Sequence, residues 1–170
     1  MPNQIRPAEV IRRAFPEVTS HEAENMVSFG EIQQYPVNSV LCKEGAIEST
    51  FYILLDGEVK VTKFINPTEE RFLSFLKPGD FFGEMALIHD APRAATVMTI
   101  VPTTVLEIRK EIFNDLVSRS SSVSKAMMRE VSRRLRENND LAVETLRVKA
   151  GELAAAYQQL AEVEYAKSEF

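Results

Sequence analysis

The chain has a single cysteine, two histidines and no long apolar run, and each shortage removes a class of function. Cys42 alone cannot close an internal disulfide. His21 and His89 have no partner at metal-ligand spacing, so neither a zinc set nor a nucleophile–base pair can be assembled. No segment approaches the roughly 20 apolar residues that cross a bilayer, and no apolar signal segment opens the chain. The expected setting is cytoplasmic, with no membrane contact from this chain. A basic excess is also missing. The net charge of −5 argues against a surface that tracks nucleic-acid phosphates, so no nucleic-acid partner is expected. At 170 residues, 45% apolar and 26% charged, the chain has room for one globular domain and an appendage.

Residues 7–15 read as a short helix with Pro7 at its start and Val10, Ile11 and Phe15 on one side. A second helix is expected over 20–29, with Ser20 as its cap. From Gly30 to about Lys110 short β-branched runs alternate with turn signals, at 31–35, 39–42, 50–55, 58–64, 71–76, 95–100 and 103–108. Asp56-Gly57 predicts a hairpin between the runs on either side of it, and Asn66-Pro67 and Lys77-Pro78-Gly79-Asp80 mark further turns. Strands this short suggest an antiparallel barrel or sandwich. A helix over 110–118 is followed by a serine-rich turn and cap, and then by a long helix from Val123, in which Gly151 is the sole glycine. Along it Met128, Val131, Leu135, Ala142, Leu146, Ala150, Leu153, Tyr157 and Leu160 form an apolar seam with heptad steps from Leu146 onward and a stutter just before. Such a seam calls for a partner, and a parallel homodimer is the economical answer.

The most informative stretch is 82–97. Gly83 and Glu84 stand ten and nine positions before Arg93, with a short apolar turn, Met85-Ala86-Leu87, between them and Ala94 and Ala95 after. Two charges so far apart could form a surface ion pair, but that explains neither the glycine nor the small residues. The run Phe82-Gly83-Glu84-x-Ala86-Leu87 … Pro92-Arg93-Ala94-x-Thr96 resembles the phosphate-binding cassette of cyclic nucleotide-binding domains. The chemistry agrees. A guanidinium fork suits a cyclic phosphate, a carboxylate accepts from a ribose hydroxyl, and glycine admits close backbone approach. The resemblance implies a mainly β fold with α: an eight-stranded antiparallel β-roll, flanked by N-terminal helices and the long C-terminal dimerisation helix. The corresponding domains are 1–122, holding the roll and cassette, and 123–170, holding the ligand cap and dimerisation segment.

The resemblance also implies where the base lies. Val61, Leu73 and Ser74 align with base-pocket positions of catabolite activator-type members, although core packing explains the two apolar residues equally well. The stretch around Arg134, Asn138 and Asn139 is similar to the helix that closes over the base in such members. Adjacent asparagines could contact adenine, sit solvated, or set the register of a dimer seam. Ala94 lacks the hydroxyl that cGMP-preferring members place after the arginine, which favours cAMP, with cGMP as a possible second ligand. Hydrolysis of a cyclic phosphodiester generally recruits metals, and their ligands are missing here. The chain therefore reads as a receptor with no catalytic residue, metal or cofactor. Its tail, residues 162–170, resembles the lead-in to the dimerisation helix of sensor histidine kinases. The alternative is a freestanding cAMP-binding dimer or a truncated catabolite activator-type transcription regulator.

Overall fold

The computed structural model describes residues 5–169. Two helices lead, α1 (Pro7–Ala14) and α2 (Ser20–Phe29). Pro7 occupies the first helical turn of α1, where its missing N–H costs nothing. The cap of α2 is Thr19 rather than Ser20. Thr19 Oγ1 accepts the Glu22 N–H at 3.2 Å, while Glu22 Oε2 accepts the Thr19 N–H at 2.9 Å. This reciprocal box leaves Ser20 as the first helical residue.

Eight strands follow: β1 (Glu31–Tyr35), β2 (Val40–Cys42), β3 (Thr50–Asp56), β4 (Val59–Asn66), β5 (Glu69–Leu76), β6 (Phe81–Phe82), β7 (Thr96–Thr99) and β8 (Thr103–Arg109). They form two antiparallel sheets, ordered β1-β8-β3-β6 and β2-β7-β4-β5. The predicted pairing across Asp56-Gly57 does not occur, because β3 and β4 lie in different sheets. Gly57 takes a left-handed φ of +96°, but its turn carries the chain from one sheet to the other. The turn lies so close to the β7–β8 connection that a Cβ on Gly57 would stand 2.5 Å from Thr103 Oγ1. The true hairpin is β4–β5, closed at Asn66-Pro67.

β3 is buried on both faces. Phe51, Ile53 and Leu55 join a helical core with Ile11, Phe15, Met26, Leu106, Ile108 and Phe113. Tyr52 and Leu54 join Cys42, Val59, Leu76, Phe82, Val97 and Val105 in a second core between the sheets. Short α3 (Glu84–His89) lies in the cassette, and α4 (Lys110–Arg119) follows β8. Ser120 ends α4 and starts α5 (Ser121–Ser168): its N–H reaches Leu116 O, and its Oγ accepts the Val123 N–H at 3.3 Å. Contacts divide the chain between Met128 and Arg129. That is later than the 122/123 boundary read from the sequence, because Val123, Ala126 and Met127 are packed in the helical core. Within the second unit α5 continues as one helix, and its seam is open to solvent: Leu146 is 66% and Leu153 60% exposed. Phe170, the last residue of the tail resemblance, lies outside the described residues.

Candidate functional site

The cassette opens on β6, whose Phe82 ring stacks on Tyr52 with centroids 4.8 Å apart. Gly83 then turns the chain into α3 with φ +91°, a conformation that L side chains rarely adopt. A Cβ there would stand 2.8 Å from Thr50 O and 2.9 Å from Arg93 Nη1. Glycine is thus required twice over, for the backbone and for clearance. Glu84, the first residue of α3, is 0% exposed and Arg93 is 3% exposed. A surface ion pair is ruled out by that burial.

Arg93 is held from three directions. Its Nη1 donates to Gly83 O at 2.9 Å, its Nη2 to Thr50 O at 2.7 Å, and its Nε to Glu48 Oε2 at 3.2 Å. Its backbone is clipped as well, with Arg93 N–H bonded to Ala46 O and Gly45 N–H bonded to Arg93 O, both 2.9 Å. The guanidinium carries further N–H groups beyond the three engaged, and these can meet an anion in a desolvated setting where charge-assisted bonds are strong. Sequence reasoning missed Glu48 and Thr50. Nothing local marks them, since they reach Arg93 only through the meeting of distant segments. Cys42 belongs to the same neighbourhood. Burial pushes its thiol from the ordinary 9.0 up to about 12, Arg93 pulls it back, and Glu48 and Glu84 add to the rise.

Of the remaining expected contacts, Met85 and Ala95 are half-buried, Ala86 is buried and Ala94 is exposed. Val61 pairs with Ser74 on one side and Val97 on the other, which brings two of the three base-pocket candidates side by side. Leu73 is the extra residue of a bulge between Ser74 and Phe72. Arg134, Asn138 and Asn139 lie on α5 in the second unit. There Arg134 Nε donates to Glu130 Oε1 at 2.8 Å. A cavity of about 220 Å³ borders the cassette between Ile47, Leu87, Pro92 and Lys110, and of the expected ligand contacts it touches only Ala86. Lys110 also pairs with Asp90, which caps α3. Among the described residues no cluster of His, Cys, Asp or Glu is placed to hold a metal ion, and no helix is long and apolar enough to cross a membrane.

The sequence pattern that defines the cyclic nucleotide-binding domain matches residues 32–120. This chain belongs to that family. The cyclic nucleotide-binding domain here is 36% identical over 100 residues to a cAMP-dependent protein kinase regulatory subunit of Pyricularia oryzae, covering 59% of this chain and 25% of that protein. It is 27% identical over 146 residues to the cyclic AMP receptor protein of Thermus thermophilus, covering 86% of this chain and 67% of that one. The crystal structure of the Thermus thermophilus catabolite activator protein superposes with a TM-score of 0.71 at 27% identity, over 79% of this chain and 62% of that chain. The family's roll accounts for the two sheets. The chain spans a quarter of the kinase regulatory subunit's length.

Proposed function

We propose that this domain is a receptor for a 3′,5′-cyclic nucleotide, cAMP in preference to cGMP, and not an enzyme. The observation that carries the reading is a buried, three-point-held Arg93 next to a buried Glu84 and a left-handed Gly83. Arg93 would take the exocyclic phosphate oxygens with its remaining N–H groups, and Glu84 would accept from the ribose 2′-hydroxyl. Val61, Leu73 and Ser74 would line the base. Ala94 offers no hydroxyl to the guanine 2-amino group. The preference for cAMP is therefore worth about one hydrogen bond, roughly 1 kcal/mol.

The same reading assigns the output to α5. A ligand shifts an equilibrium only if it binds two arrangements differently. The junction over residues 110–122, where α4 leads through a serine turn into α5, is the part we assign to move, and the open seam from Leu146 would pair with a second copy. We infer a regulatory part of a cytoplasmic two-component sensor histidine kinase, supported by the likeness of residues 162–170. The likeness to the Thermus receptor over most of the chain favours, as a second reading, a regulator of the catabolite activator type or a freestanding dimer. Calorimetric titration with cAMP and cGMP tests the first claim: tighter binding of cAMP is expected, and no binding of either would end the reading. Spin-label distances between Leu153 positions with and without cAMP test the second, and unchanged distances in a confirmed dimer would make α5 a passive tether.

A further inference from the structure

The segment between β2 and β3 is bonded both to Arg93 and to β4 of the β4–β5 hairpin. Its later residues fix Arg93: Gly45 and Ala46 through the backbone, Glu48 through its carboxylate. Its first acidic residue does something different. Glu44 N–H donates to Thr96 Oγ1 at 3.0 Å, at the start of β7, and Glu44 Oε2 accepts the Phe64 N–H of β4 at 2.8 Å.

That second bond falls where the sheet runs out. β7 stops at Thr96, opposite Thr62, so Phe64 has no β7 residue beside it. Beyond that row β4 is paired with β5 alone, through Lys63–Arg71, Phe64–Glu70 and Asn66–Glu69. A two-stranded ribbon is marginally stable in water, and this one is the free end of the hairpin whose inner rows, still flanked by β7, carry the Val61–Ser74 pair and the Leu73 bulge. The Glu44 carboxylate takes the place of the missing β7 partner. It ties the ribbon to the same short segment that grips Arg93.

We propose that Glu44 is a positioning residue that sets the distance between the phosphate anchor at Arg93 and the base-lining hairpin. The proposal rests on the cyclic nucleotide reading above. A ligand held at both ends needs that distance fixed before it binds, and one held only at the phosphate does not. Glu44 touches neither end of the ligand, so its effect appears only when a base is present.

The test uses two probes, cAMP and the base-less ribose 3′,5′-cyclic phosphate, on the wild-type protein, Glu44→Ala and Glu44→Gln. Glu44→Ala should weaken cAMP about tenfold, the size of one charge-assisted hydrogen bond, and change the base-less probe by less than about twofold, as for an uncoupled site. Glu44→Gln keeps an acceptor oxygen and should restore most of the cAMP affinity. Hydrogen exchange gives a second readout: cAMP should slow exchange of the Phe64 amide in wild type and Glu44→Gln but not in Glu44→Ala. If Glu44→Ala weakens both probes equally, or neither, Glu44 does not set the span and the proposal falls while the receptor reading stands. If the wild-type protein binds neither probe, the receptor reading fails and takes this one with it.

Discussion

In the cassette the charged groups are buried and gripped by residues from far along the chain, whereas in α5 beyond Met128 the apolar groups lie on the surface. Arg93 and Glu84 are removed from water, and Arg93 is clasped by Gly83, Thr50 and Glu48. Leu146, Leu153, Tyr157 and Leu160 face solvent along one helix. One region has desolvated charge with capacity left for an anion. The other has apolar area with nothing over it in a single copy. Each inverts the usual rule of apolar inside and charged outside, and each inversion points to a binding partner.

The largest effect should come from breaking the charged side. Arg93→Ala should reduce nucleotide affinity by on the order of 2–5 kcal/mol in a calorimetric titration, since it strips the partner from a desolvated anion. Arg93→Lys should recover only part, because a point charge cannot serve two phosphate oxygens and the carbonyls of Gly83 and Thr50 together. Next comes the apolar side. Each leucine of a paired seam contributes about 1.5–3 kcal/mol, so Leu153→Asp should convert a dimer to a monomer in sedimentation velocity with nucleotide binding intact. If both properties change together, the two regions are not separable.

Gly83→Ala sharpens the comparison. The strained φ and the contact with Thr50 O should cost about 1–3 kcal/mol in chemical denaturation. The smallest effect at neutral pH concerns Cys42, which acts only in alkali. Its folded pKa of about 12 stands above the unfolded value of 9.0, so its contribution to stability is complete below about pH 9 and is lost as pH rises through 12. Cys42→Ala should flatten that part of the alkaline stability profile. The wild-type thiol should ignore a thiol reagent at pH 8 until the protein is unfolded.

What could be read from the sequence was what is local. The cassette is one contiguous stretch whose glycine, carboxylate and arginine stand in a recognisable order, and α5 announces itself by its period. Seven strands follow from β-branched runs between turn signals, but β6, two residues long, gives no run to see. Asp56-Gly57 looks like a hairpin because its turn chemistry is right. That β3 pairs with β8 instead depends on contacts some 50 residues away. Thr19 and Ser20 both suit a helix cap, and only the Glu22 side chain decides between them. Glu48 and Thr50 could not be found at all, because their roles exist only once β3 lies beside the cassette.

β3 is a wall shared by two rooms. Phe51, Ile53 and Leu55 face the helices, and Tyr52 and Leu54 face the space between the sheets. Neither core can open without unpacking one side of this strand, so the two are expected to melt in a single cooperative step. Its amides should exchange with solvent only through global unfolding. They then serve as an internal gauge of total stability, against which any local loosening at the cassette can be read.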